Sequence, residues 1–141
     1  VHIVVINGEK DKNFEQKILK INNNIDIFYS HYSPVEIDKF KNKKLLAVAG
    51  IGNPENFFRL LTRNNLNLEK RFIFPDHYKF SKNEILKIIK YADSKKLNVI
   101  MTEKDYFKIK HFNLNKIEFL KVDLVLEQKE KFINRILTLY D

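Results

Sequence analysis

Apolar positions along this chain alternate between short continuous runs and helical spacing, and the alternation predicts its elements. Ile3 to Ile6 is an apolar run that stops at Asn7-Gly8. Phe14, Ile18 and Ile21 then recur at helical spacing, and Ile25 to Tyr29 returns to a strand pattern. Ser33-Pro34 predicts a break, followed by a turn or short helix over Val35 to Phe40. Leu45 to Ala49 is apolar without interruption, the pattern of a strand covered on both faces of a parallel sheet. Asn53 is placed to cap a helix with Pro54 at its first position, where a missing N–H costs nothing. Phe57, Phe58 and Leu61 would face inward from it, and Phe72 to Phe74 is a short strand.

Ser81 and Glu84 have the spacing of a capping box, with Phe80 and Ile85 as the hydrophobic staple. Ile85, Ile88, Ile89 and Ala92 supply the buried stripe of that helix. Val99 to Met101 is another buried strand, and Thr102 with Asp105 resembles a second capping box. Ile117 to Val122 is a last strand, and Phe132, Ile133, Ile136, Leu137 and Tyr140 form a closing amphipathic helix. The fold class is α/β, a mostly parallel open sheet flanked by helices in a single domain over residues 1–141.

Three polar segments each follow an apolar run: Gly50-Ile51-Gly52-Asn53-Pro54, Phe74-Pro75-Asp76-His77 and Met101-Thr102-Glu103-Lys104-Asp105. Loops at the carboxyl ends of parallel strands gather into one crevice, so the three predict one shared site. Gly50 and Gly52 allow close approach of a ligand, and free amides at a helix start favour an anion; a tight strand-to-helix turn explains them equally. His77 lies in a loop beside Asp76, off any apolar helical face. It can act as base, acid or orienting partner, or simply fix the loop through a hydrogen bond. Lys104 can hold a phosphate or be neutralised by Glu103 and Asp105. Capping accounts for Thr102 and Asp105 without a functional role.

Composition narrows the chemistry. Among 141 residues there is no cysteine, which removes disulfides and thiolate chemistry and suits a reducing, intracellular setting. His2, His31 and His111 lack comparable context, and no histidine pair has metal-ligand spacing, so no metal site is expected. The net charge is +8 and the isoelectric point about 9.5, but the excess is nearly all Lys and acids are interspersed. A solvated surface explains this better than a nucleic-acid patch, because the aromatics fall at core periodicities instead of alternating with basic residues. No apolar run has membrane-spanning length. The chain opens Val1-His2-Ile3 without an initiator Met or signal pattern, as if entered at a strand. With three glycines, Gly8, Gly50 and Gly52, it contains no G-x-x-x-x-G-K-[ST] loop, so a complete nucleotide kinase site is not expected.

Ala47 to Phe58, Phe74 to Phe80 and Met101 to Asp105, taken in order, resemble the C-terminal half of the tetraacyldisaccharide 4'-kinase family, and Val4 to Gly8 resembles the strand that opens that half. The resemblance covers nearly the whole chain. It implies the C-terminal part of a P-loop-kinase-like fold, from a lipid A pathway enzyme of Gram-negative bacteria at the cytoplasmic face of the inner membrane. The family transfers the γ-phosphate of ATP to the 4'-hydroxyl of tetraacyldisaccharide 1-phosphate. ATP and Mg²⁺ would be bound mainly by an N-terminal half absent here, so the isolated chain is expected to be inactive. The implied partners are the lipid A disaccharide precursor, ATP and, peripherally, the inner membrane, with no nucleic acid. His77 matches the histidine that pairs with a catalytic aspartate of the other half and is the expected catalytic residue. Gly50, Gly52, Asn53, Asp76, Glu103 and Lys104 are expected near substrate or phosphate. A second histidine common in the family is Tyr78 here. The alternative from another class is a stand-alone nucleotide- or sugar-phosphate-binding module, for which Gly50-Ile51-Gly52 at a helix start is the motive.

Overall fold

Five consecutive apolar side chains, Leu45 to Ala49, have no exposed surface at all, and the strand that carries them is the centre of the molecule's larger sheet. The computed structural model describes residues 2–139. Its elements are β1 (Ile3–Asn7), α1 (Lys12–Ile21), β2 (Asp26–Pro34), a 3₁₀ turn (Ile37–Phe40), β3 (Lys44–Ala49), α2 (Pro54–Arg63), β4 (Asn67–Ile73), α3 (Lys82–Ser94), β5 (Asn98–Thr102), α4 (Glu103–Ile109), a 3₁₀ turn (Lys110–Phe112), β6 (Ile117–Leu120), β7 (Val122–Leu126) and α5 (Lys129–Leu137).

The strands assort into two sheets, one of three strands in the order β1-β2-β7 and one of four in the order β4-β3-β5-β6. The chain correspondingly divides into two compact units. One is discontinuous, Val1–Ser33 with Val122–Asp141, and the other is the continuous stretch Pro34–Lys121. The alternation of elements predicts a mostly parallel sheet flanked by helices, and its strands divide between these two sheets. Local pattern says which residues pair as strands but not which strands share a sheet.

In the continuous unit every strand pair is parallel, as expected for an α/β fold. β3 pairs with β4 on one side and β5 on the other, and the register sets Ala49 beside Ile73 and Val48 beside Met101. The three strands therefore end together. Helix α2 starts as its sequence demands, with Pro54 in its first turn and the Asn53 side chain accepting from Asn56 N–H at 3.4 Å. Phe57, Phe58 and Leu61 are buried. Helix α3 has the full capping box: Ser81 Oγ accepts from Glu84 N–H, and Glu84 accepts from Ser81 N–H at 2.8 Å. Its buried side chains are Ile85, Ile88, Ile89 and Ala92, which pack with Leu46, Val48, Val99 and Met101. Each large side chain so buried stabilises by about 1.5–3 kcal/mol.

Several boundaries differ from the sequence expectations. Ser33 and Pro34 end strand β2 instead of breaking the chain after Tyr29. β4 begins at Asn67, before Phe72; as the edge strand of its sheet it has only Leu68 and Phe72 half-buried among exposed residues, where a core strand would be uniformly apolar. The expected strand Ile117 to Val122 is two strands in different sheets, β6 and β7, parted at Lys121.

In the discontinuous unit β1 pairs with β2 in parallel, and Gly8, at φ +141°, donates its N–H to Ser30 C=O. Asp11 caps α1 through Asn13 and Phe14 N–H. Tyr29 accepts from Asp11 N–H and donates to Glu15 at 2.7 Å, and Phe28 meets Phe132 edge-on at 5.1 Å. Phe14, Ile18 and Ile21 lie on α1 as spaced, yet that helix buries none of its residues, and neither does α5. Tyr140, assigned to the closing helix from its spacing, lies outside the described residues.

Candidate functional site

Because β4, β3 and β5 are adjacent and parallel, the segments that follow them emerge side by side at one sheet edge. Gly50 to Asn53 leaves β3, Phe74 to Phe80 leaves β4, and Glu103 opens α4 directly after β5. The three polar segments thus meet within the continuous unit. The meeting is tight. A Cβ on Gly52 would sit 3.2 Å from Asp76 Oδ2, so Gly52 lets the Asp76 carboxylate lie against the backbone. A Cβ on Gly50 would meet Asp105, Phe80 and Pro75 C=O, each at 3.4 Å.

Asp76 is the junction of the exposed part. Its Oδ1 accepts from His77 N–H at 2.9 Å, its Oδ2 lies 3.8 Å from His77 Nε2, and Lys104 Nζ is 3.8 Å from Oδ1. The His77 side chain is 77% exposed and Lys104 53%. Such solvated pairs are worth about 0–1 kcal/mol, too little to hold this geometry. Lys104 faces Asp76, whereas the sequence offers Glu103 and Asp105 as its neutralising neighbours. Glu103 occupies the first turn of α4, where the helix dipole favours a carboxylate.

The frame that holds these groups lies underneath. His77 takes φ +58°, the left-handed region that few non-glycine residues occupy. On its two sides, Phe74 N–H donates to Ala49 C=O at 2.8 Å and Tyr78 N–H to Pro75 C=O at 3.2 Å. Phe74, Tyr78 and Phe80 form a triangle of rings with centroids 4.9 to 5.1 Å apart. The Tyr78 hydroxyl donates to Glu84. That bond, helped by Ser81, holds the Glu84 carboxyl down at about 2, and it raises the Tyr78 phenol in return. Tyr78 is therefore the anchor of the loop.

Capping alone, the role the sequence offers Asp105, does not describe what its carboxylate does. Thr102 does cap α4, accepting from Asp105 N–H at 3.1 Å. The carboxylate does not complete a capping box. It is fully buried, accepting from Gly50 N–H at 2.7 Å, Thr102 Oγ at 2.8 Å and Lys108 Nζ at 2.7 Å. The available signal is an acid three residues past a buried strand with a lysine three residues further on, one helical turn away.

A groove of about 400 Å³ lies elsewhere on the unit, lined by Arg71, Phe72, Phe74, Glu84, Lys87 and Ile88 among others. It includes neither His77 nor the glycines. Among the described residues no group of three His, Cys, Asp or Glu side chains is arranged to hold a metal ion.

The family model for tetraacyldisaccharide-1-P 4'-kinase, LpxK, matches residues 1–141. The chain belongs to this family. It is 33% identical over 139 residues to the tetraacyldisaccharide 4'-kinase of Pelagibacter ubique (strain HTCC1062), covering 96% of this chain and 44% of that protein. It is 36% identical over 100 residues to the enzyme of the same name from Rickettsia akari (strain Hartford), covering 71% of this chain and 30% of that protein. The chain therefore spans less than half the length of these curated relatives. A crystal structure of LpxK from Aquifex aeolicus in complex with ATP superimposes with a TM-score of 0.58 at 16% identity, over 99% of this chain and 52% of that one. That likeness gives the fold, part of a P-loop kinase. The 4'-kinase family named from the three segments, and the α/β class read from the alternating pattern, both hold.

Proposed function

We propose that these residues form the C-terminal portion of a lipid A 4'-kinase, which moves the γ-phosphate of ATP to the 4'-hydroxyl of tetraacyldisaccharide 1-phosphate. One observation carries the reading: the three segments that mark the family converge at the ends of adjacent parallel strands, with an imidazole held out from them. In this step the 4'-oxygen attacks the γ-phosphorus, the bond to the β–γ bridging oxygen breaks, and the hydroxyl proton passes to a carboxylate. His77 is the group that orients and activates that carboxylate, an aspartate supplied from outside these residues. Asp76 stands 3.8 Å from the imidazole and, with the left-handed backbone, limits the directions it can point. Lys104 and the turn from Gly50 to Asn53 would bring one cation and a close-approaching backbone near the transferring phosphate, the Gly50 N–H itself being taken by Asp105.

The described residues do not by themselves fit a Mg²⁺ site or cradle a triphosphate: among them the acids needed for the metal are not grouped, and the sequence holds no glycine-rich phosphate loop. Nucleotide and metal therefore belong to the remainder of a family-length chain, and the 141 residues alone are inactive. Peripheral contact with the cytoplasmic face of the inner membrane is part of the same proposal. It rests on a lipid substrate and a basic surface of net charge +8. No helix among the described residues is long and apolar enough to cross a membrane.

The test is a family-length chain carrying these residues, assayed with ATP and tetraacyldisaccharide 1-phosphate. It should show 4'-kinase turnover, and His77→Ala should lower kcat by roughly 10²–10⁴-fold with little change in the KM for ATP. Absence of turnover would sink the reading. Tight ATP binding by the 141 residues alone would favour a stand-alone binding module instead.

A further inference from the structure

Asp105 is a buried carboxylate that the proposed phosphoryl transfer does not use, and a fully enclosed acid costs several kcal/mol unless its oxygens are satisfied. Here they are satisfied by groups from two different loops. Thr102 Oγ and Lys108 Nζ belong to the β5–α4 side, while Gly50 N–H belongs to the turn that leaves β3. Lys108 spans the same gap, donating also to Gly50 C=O at 3.3 Å. Both polar groups of the Gly50 residue are thus held by α4. Strand β3 ends at Ala49 and α2 starts at Pro54, so Gly50 is the first residue of the turn between them and its contact with α4 sets how that turn leaves the sheet.

That turn carries Gly52, whose open face receives the Asp76 carboxylate, and Asp76 in turn holds His77 N–H. A line of contacts therefore runs from Asp105 through Gly50, the turn, Gly52 and Asp76 to the exposed imidazole. We propose that Asp105, with Lys108, is a positioning residue that sets the β3–α2 turn against Asp76 and so fixes the direction of His77. It touches none of the exposed site groups itself. The proposal rests on the kinase reading only for its consequence in turnover; the latch on Gly50 stands apart from it.

The test has two arms. In the 141-residue chain, amide exchange and the proton shift of Gly50 are followed by NMR for the wild type and Asp105→Asn. The wild-type Gly50 amide should be protected and shifted downfield by the charged acceptor. Asp105→Asn should move it upfield and raise its exchange rate by about tenfold or more, the amide having traded a charged acceptor for a weaker one. In a family-length kinase the same variant should lower kcat by up to about 10²-fold, as a small misplacement of a reacting group does, with the KM for ATP nearly unchanged. Lys108→Gln leaves the carboxylate in place and should show both effects in the same direction but several-fold smaller, which covers the case in which Asp105→Asn does not fold. Thr102→Ser keeps the hydroxyl and should restore wild-type behaviour in both arms. Unchanged Gly50 exchange in Asp105→Asn and Lys108→Gln, or an unchanged kcat in variants with altered Gly50, would overturn the proposal. A wild-type chain without turnover would count against the kinase reading alone, with the Gly50 arm still deciding the latch.

Discussion

The two units bury their apolar side chains very differently. In the continuous unit, Pro34–Lys121, the core runs from Phe40 through β3, α2, α3 and β5 to Leu120, and only Ile73, Leu86 and Phe107 are large and exposed. In the discontinuous unit, among the described residues, only Phe28 and Tyr29 are buried apolar side chains, while Val5, Phe14, Leu19, Ile21, Tyr32, Leu124, Val125, Ile133, Leu137 and Leu139 are exposed. Yet its helices are well formed, with a side-chain cap on α1 and helical apolar spacing on both. Amphipathic pattern therefore specifies a face without supplying what covers it. The continuous unit has its own core, while the discontinuous unit, among the described residues, has apolar faces and little to bury them.

The largest expected effect lies in the continuous unit. Phe58→Ala, at a side chain with no exposed surface, should cost about 3–5 kcal/mol in urea unfolding. Native-state hydrogen exchange should show the same contrast without mutation. Amides of Leu46 to Val48 should open only with global unfolding, whereas those of β1 should exchange through smaller openings. Equal protection in the two units would break the comparison. Gly52→Ala comes next. Its Cβ presses on a half-exposed carboxylate that can yield, so the cost should fall below the roughly 1–3 kcal/mol of core overpacking. The readout is a shift of the Asp76 and His77 resonances.

Each unit also contains a tyrosine bonded to a glutamate, and their titration should differ in cause. Burial is the main reason the Tyr29 phenol is raised, whereas for Tyr78 it is the Glu84 hydrogen bond. Glu84, lowered from 4.5 to about 2, stabilises the fold above pH 4.5, and that contribution is lost as pH falls through about 2. Tyr78→Phe should return the Glu84 carboxyl toward 4.5 in a carbon-detected titration, narrowing the acid range in which the loop stays folded. An unmoved Glu84 would show that Ser81 alone holds it. The smallest effect should be Ile21→Asn in the discontinuous unit. With the side chain 86% exposed, it should stay within about 0.5 kcal/mol of wild type.

What could be read from the sequence divides along the same line. The elements of the continuous unit follow from uninterrupted apolar runs and from caps whose partners are three residues away, so β3, α2 and α3 are placed nearly to the residue. The convergence of Gly50, Asp76, His77 and Lys104 follows from parallel strands ending together. What could not be read are pairings set by tertiary position. β4 is an edge strand and lacks the apolar signal, β6 and β7 look like one run until they enter different sheets, and the bond of Asp105 to Gly50 spans a sequence separation of 55 residues. Capping accounted for Asp105 well enough locally to hide its longer reach. Exposure was hidden too, since Phe14 and Ile21 have core spacing in a helix that buries nothing.

The discontinuity of the first unit also sets an order of events during synthesis. Strands β1 and β2 leave the ribosome before the continuous unit, but their sheet takes its third strand from beyond Lys121. The continuous unit, with every one of its strands contained in one stretch, can close while β7 and α5 are still unmade. Until they appear, the β2 edge that will receive β7 has no partner there, the condition in which nascent chains mispair or recruit chaperones. Translation speed between β2 and β7 therefore governs how long that edge waits.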